Sequence, residues 1–249
     1  MKRVSSTLVI MLVLAALTAL AGCGQKQAAG GTAKLLMMGN ENMAFLEIVS
    51  GSPTGFSADL AAEIADRLGR QLVVTIEPFA ELFPRLKSGE CDIAMSAITI
   101  TPERQAEVDF SDPYFSSGQA LLVPLDSGIA SVSDLRGKSV GVLKASTNQK
   151  EAEGIAGIKA IVLFDEKPPM FAALVAGKVD AVICDTPFAK YNAKQTGKTR
   201  IAKVLTRGDT YGIALKKGNT ALVTKIDDAL ALIKQDGTYE RLYEKYFGK

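Results

Sequence analysis

The sequence predicts an α/β fold made of two similar lobes, and three observations predict it. Short apolar, often β-branched runs alternate with segments of helical period along most of the chain. One helix–glycine–acid–strand unit occurs in two copies. The length of 249 residues, 47% of them hydrophobic, supplies core enough for one large domain or two modest lobes.

The elements follow in order. Lys34 to Met38 reads as a first strand. Leu60, Ile64 and Leu68 recur at helical spacing and make Ser57 to Leu68 a helix, stopped by Gly69. Gln71 to Ile76 is a β-branched strand, Leu82 to Ser88 a short helix ended by Gly89, and Asp92 to Met95 a strand. A second series begins near Lys138, with strands at Ser139–Leu143 and Ala160–Phe164 and a helix opening at Thr147 between them. Pro168 and Pro169 suit the first turn of a helix that ends at Gly177. Val179 to Cys184 is a strand, Thr186 to Lys194 helical, Ile201 to Leu205 extended and Tyr211 to Leu215 a strand. Helices at Asn219–Gln235 and Tyr239–Phe247 close the pattern.

The repeated unit reads Leu86-Lys87-Ser88-Gly89-Glu90-Cys91-Asp92-Ile93-Ala94-Met95 in the first copy. The second reads Leu174-Val175-Ala176-Gly177-Lys178-Val179-Asp180-Ala181-Val182-Ile183. Each holds a helix end, a glycine suited to the left-handed position after it, and an aspartate before a buried strand. Two copies are too few for a solenoid and fit paired lobes.

Lys2 and Arg3, the apolar run Leu8 to Leu20, and the small residues before Cys23 form a secretory signal, with an apolar run too short to span a bilayer. Leu20-Ala21-Gly22-Cys23 resembles the lipobox of bacterial lipoproteins, which implies a signal peptide over residues 1–22 and acylation of Cys23. The small, polar stretch Gly24 to Thr32 reads as a tether, so residues 23–33 are expected to link lipid to folded body. The expected location is the extracytoplasmic face of the cell membrane. Cys91 and Cys184 sit in apolar strand contexts and read as buried free thiols.

A net charge of +2 gives no field for nucleic acid. The absence of histidine excludes Ser-His-Asp and Cys-His nucleophiles and removes the commonest metal ligand. No metal or other cofactor is expected. Each strand of the repeated pair runs into a polar segment, Ser96 to Arg104 in one lobe and Cys184-Asp185-Thr186-Pro187 in the other. In open α/β sheets ligands sit beyond the carboxyl ends of strands. One lobe therefore offers hydroxyls and an arginine, the other a carboxylate, which together complement the carboxylate and ammonium of an α-amino acid.

Several motifs occur in a linked order: Gly55-Phe56 with Asp59-Leu60, Thr99-Ile100-Thr101-Pro102-Glu103-Arg104, Asp109-Phe110-Ser111-Asp112-Pro113-Tyr114, Asp134-Leu135-Arg136-Gly137-Lys138, Ser146-Thr147, Asp185-Thr186-Pro187, Tyr211-Gly212-Ile213-Ala214 and Asp236-Gly237-Thr238-Tyr239. In that order they resemble the bacterial extracellular solute-binding proteins of family 3, over nearly all the chain after the tether. The resemblance implies a two-lobe periplasmic-binding-protein (Venus-flytrap) fold with two hinge crossings. Residues 34–121 and 212–249 would form the first lobe and 122–211 the second. It further implies a monomeric receptor that binds an L-amino acid by hinge closure and delivers it to the permease of an ABC importer.

In that resemblance Arg104 grips the ligand's α-carboxylate, a task suited to its planar fork. Thr99 assists it, and Ala97 offers a carbonyl to the ammonium. Ser146 and Thr147, with Asn148 beside them, open a helix whose free N–H groups hold the carboxylate from the second lobe. Asp185 pairs with the ammonium, and Phe79 packs on the ligand. The sequence departs from the family at the loop Asn42-Met43-Ala44-Phe45, where Asn42 stands in the aromatic lid position, and at Ser57. Gly39 stands where receptors for basic amino acids carry an acid, which weakens the case for lysine or arginine. Two other readings are a dehydratase-type enzyme using Glu41 or Glu81 as its acid, and a sensor that reports a ligand to a membrane partner.

Overall fold

The computed structural model describes residues 34–41 and 43–248. The expected signal peptide, Cys23, the tether and Asn42 lie outside the described residues.

The chain opens with strand β1 (Lys34–Gly39), then a hairpin of β2 (Glu47–Val49) and β3 (Ser52–Thr54), helix α1 (Phe56–Arg67) and β4 (Gln71–Ile76). Helix α2 (Leu82–Ser88), β5 (Ile93–Thr99), α3 (Pro102–Glu107), β6 (Val108–Phe110) and β7 (Phe115–Ser117) follow. The middle of the chain holds β8 (Gln119–Pro124), β9 (Ser139–Leu143), α4 (Thr147–Glu153), β10 (Ala160–Phe164), α5 (Lys167–Val175), β11 (Ala181–Asp185), α6 (Thr186–Thr196) and β12 (Thr199–Val204). The long strand β13 (Asp209–Lys216) and helices α7 (Thr220–Gln235) and α8 (Thr238–Phe247) end it.

These strands build two sheets on one plan. The first has the order β4-β1-β5-β13-β6, with β7 also on β13; the second has the order β10-β9-β11-β8-β12. In each, three parallel strands are joined by one antiparallel strand, β13 on β5 and β8 on β11. The chain passes from the first sheet to the second between Ser117 and Gln119, and back between Val204 and Asp209. Gln119 to Leu121 thus pair within the second sheet, and Asp209 to Tyr211 within the first. The two crossings touch. A Cβ at Gly118 would collide with the Thr206 carbonyl, so only glycine lets the strands approach this closely. Gln119 N donates to Thr206 Oγ1 at 2.9 Å, and Leu205 N donates to Gln119 O at 2.7 Å.

The repeated unit has one physical cause in both halves. Gly89 and Gly177 take the left-handed conformation, with φ of 88° and 67°, and turn the chain after α2 and α5. Asp92 Oδ2 then accepts the N–H of Leu36 at 2.8 Å, near the start of β1. Asp180 Oδ2 accepts the N–H and the hydroxyl of Ser139 at 2.8 Å, at the start of β9. Each aspartate satisfies a donor where parallel pairing begins, and that bond to Ser139 N–H holds the Asp180 carboxyl below its ordinary pKa.

Helix α1 buries Leu60, Ala61 and Ile64 against the first sheet, as the spacing predicts. The expected strands at Asp92 and Val179 begin later, at Ile93 and Ala181, and β5 runs on to Thr99. Cys91 and Cys184 are buried free thiols. Phe45 joins the halves: its ring lies 5.1 Å from Phe115 in the first and 5.1 Å from Phe188 in the second.

Candidate functional site

The site lies where the carboxyl ends of β5 and β11 face one another. After Thr99 the chain turns at Thr101, whose hydroxyl caps α3 by accepting the Arg104 N–H at 3.3 Å, with Pro102 in the first turn. Arg104 is thereby fixed beside the end of β5. Its Nη1 donates to Thr99 O at 2.9 Å, and its Nη2 donates to Ala145 O at 3.3 Å, which reaches the other half. The guanidinium carbon stands 5.5 Å from the Phe79 ring centroid and 5.3 Å from that of Phe83. Desolvation lowers its pKa to about 10, and the Asp185 charge acts against that fall.

Asp185 ends β11 and is buried. Asn148 Nδ2 donates to its Oδ1 at 2.9 Å, and the Tyr211 hydroxyl donates to its Oδ2 at 2.6 Å. Tyr211 belongs to β13 of the first sheet, so this carboxylate is held from both halves. The Ser117 hydroxyl, 2.9 Å from that of Tyr211, extends the chain to the crossing. Burial raises the Asp185 carboxyl, while the bonds from Tyr211 and Asn148 and the charge of Lys167 oppose the rise. Asn148 keeps its Oδ1 buried with no hydrogen-bond partner, an acceptor available to an incoming donor.

The remaining expected residues fall around this pair. Phe79 is buried, with Arg104 and Lys167 both on its ring. Thr99 is buried, and its carbonyl is taken by Arg104. Ala97 is buried with φ of 52°, a left-handed backbone inside a strand that costs a non-glycine residue roughly 1–3 kcal/mol. Ser146 caps α4: its hydroxyl accepts the Gln149 N–H at 3.2 Å and donates to Leu143 O at 2.6 Å. Its hydroxyl therefore serves the cap, and the Ser146 N–H also donates to Leu143 O, at 3.3 Å. Gly39 has no room for a side chain, because a Cβ there would strike Leu46.

Lys167, Tyr211 and Phe188 were not among the expected residues. Lys167 opens α5 just before Pro168 and Pro169, and is 4% exposed. Its ammonium lies 4.7 Å from the Phe188 ring centroid and 5.8 Å from that of Phe79. Among the described residues it makes no hydrogen bond or ion pair. A surface hollow of about 570 Å³, lined by Ile129, Asp134 and Asp180, lies at the opposite, amino ends of β9 and β11, away from these groups.

A family model, Bacterial extracellular solute-binding proteins, family 3, matches residues 37–249. The chain belongs to this family. As a family 3 protein it is 35% identical over 201 residues to the ABC transporter glutamine-binding protein GlnH of Bacillus subtilis (strain 168), covering 79% of this chain and 74% of that one. Among solved structures, an ancestral arginine-binding protein bound to glutamine superposes with a TM-score of 0.83 at 37% identity, covering 88% of this chain and all of that one. An ancestral amino acid-binding protein described as a precursor of cyclohexadienyl dehydratase superposes with a TM-score of 0.80 at 34% identity, covering 86% and 95%. The family 3 chain has the two-domain periplasmic-binding-protein fold of these neighbours.

Proposed function

We propose that this family 3 protein is the receptor of an ABC importer and closes its two halves on one L-amino acid. The observation that carries this reading is that Arg104, after β5, and buried Asp185, at the end of β11, are near enough for the carboxylate charge to act on the guanidinium, two opposite charges that complement a zwitterion. Arg104 and Thr99 take the α-carboxylate, with the backbone at Ser146 and Thr147 closing on it. Asp185 and the carbonyl of Ala97 take the α-ammonium, Phe79 packs on the ligand, and Asn42 sits at the lid. The halves pivot at the crossings beside Gly118 and Thr206. The relatives are named as amino-acid-binding proteins, and one as part of an ABC transporter.

The test compares a bound amino acid with its 2-oxo analogue by calorimetry. Losing the ammonium leaves Asp185 buried without its cation, so the analogue is expected to bind roughly a hundredfold more weakly or worse. Equal binding of the two overturns the ammonium role and favours an acid-binding enzyme on the same fold.

The receptor works as a monomer tethered by lipid at Cys23, facing the permease. Cys23→Ser is expected to release the protein from membranes or to block its processing. A substituted protein that stays membrane-bound with an unchanged N-terminus overturns the anchor.

A further inference from the structure

Lys167 is a buried cation that the zwitterion clamp does not use. It begins α5, and Arg104 lies in the first turn of α3. Both cations therefore stand at helix N-termini, where the dipole opposes them. Both also stand against the same Phe79 ring, 5.5 and 5.8 Å from its centroid. Cation–π contact with Phe79 and Phe188 returns less than the desolvation of an ammonium costs. Asp185 is near enough to act on Lys167 electrostatically, but the two form no ion pair.

Among the described residues, Arg104 and Lys167 stand on this ring and the Asp185 carboxylate ends β11, with Asp209 of β13 also acting on Asp185. An α-amino acid head brings one carboxylate for Arg104 and one ammonium for Asp185, and leaves Lys167 unmatched. We infer that the ligand is an amino acid with a carboxylate side chain, and that the Lys167 ammonium reads that side chain. This rests on the amino-acid reading above and names the substrate class within it. A guanidinium or ammonium side chain would meet Lys167 as a like charge, and Gly39 has no space for an acid that could compensate. An amide side chain offers Lys167 an acceptor but no charge.

The experiment titrates the ligand-stripped, full-length protein at pH 7 with L-glutamate, L-aspartate, L-glutamine and L-arginine by calorimetry. One of the two acids is expected to bind roughly tenfold or more tightly than glutamine, and roughly a hundredfold or more tightly than arginine. Lys167→Met is expected to lose roughly thirtyfold or more of the acid affinity and little of the glutamine affinity, while Lys167→Arg keeps the acid preference. Glutamine or arginine binding as tightly as both acids overturns the role of Lys167 and leaves the receptor reading intact. So does an acid preference that survives in Lys167→Met. If none of the twenty L-amino acids binds, both readings fall. Should Lys167→Met not fold, the ranking of the wild-type protein decides alone.

Discussion

Arg104→Lys is expected to weaken amino-acid binding by roughly thirty- to a hundredfold while leaving the unliganded fold almost as stable as before. The substitution keeps the positive charge and removes the planar fork, so it separates geometry from electrostatics. Two of the guanidinium nitrogens already reach protein carbonyls, Thr99 O at 2.9 Å and Ala145 O at 3.3 Å. Those bonds fix the plane of the group and leave N–H donors over for a carboxylate. A lysine ammonium cannot hold both carbonyls and present a parallel pair of donors as well. The loss of roughly 2–3 kcal/mol is the cost of truncating a hydrogen-bonded charge partner. Without ligand the side chain is half-buried and bonded only to carbonyls, so the change in fold stability should stay below about 1 kcal/mol, or about 2–4 °C in Tm. Calorimetric titration and thermal melting of the two proteins check this. Unchanged affinity shows that the arginine is not the carboxylate grip. A much lower Tm without ligand shows that its role is structural.

Arg104 and Asp185 were legible in the sequence for a simple reason. Asp185 is the last residue of one buried strand and Arg104 follows the end of another, in polar segments where an α/β sheet exposes its strand ends. The helices α1 and α7 were legible through their apolar stripes, and the paired aspartates through the repeated unit they close. Strand β8 was not, because it is central and buried: Gln119 to Val123 show no alternation to read. Strands β2, β3, β6 and β7 are three residues each, too short to set a period. The support for Asp185 comes from Asn148 and Tyr211, 37 and 26 residues away along the chain, and only the crossing of the strands brings them together. Ser146 was expected to open a helix that holds the ligand, and its hydroxyl serves as the cap of that helix. Lys167 was not legible, since nothing local beside Pro168 and Pro169 shows that its ammonium ends among Phe79 and Phe188.

Lys167→Met is expected to stabilise the unliganded protein at pH 7 by about 1–3 kcal/mol, even as it weakens binding of acidic ligands. Desolvation lowers the Lys167 pKa from 10.5 to about 8, against the favourable charge of Asp185. Asp185 and the Cys184 thiol are the titratable neighbours acting on it, both at the end of β11. Burial raises the Cys184 thiol well above its ordinary value, so it stays neutral through the window that matters. The unfolded chain therefore holds this proton more tightly than the folded one, and between about pH 8 and 10.5 stability rises with pH. Below about pH 8 both states are protonated and the whole cost is present, at most about 3 kcal/mol. Methionine has a similar length, fills the same space and carries no charge, so it removes the cost without opening a cavity. In melting experiments without ligand, Lys167→Met should gain about 2–4 °C for each kcal/mol at pH 7, and the gain should shrink as pH rises towards 10. Saturating glutamate or aspartate should then reverse the order, because only the wild-type protein recovers its desolvation cost through the bound carboxylate. A lower Tm for Lys167→Met at pH 7, with the same pH slope as wild type, shows instead that the lysine is satisfied within the fold and waits for no ligand.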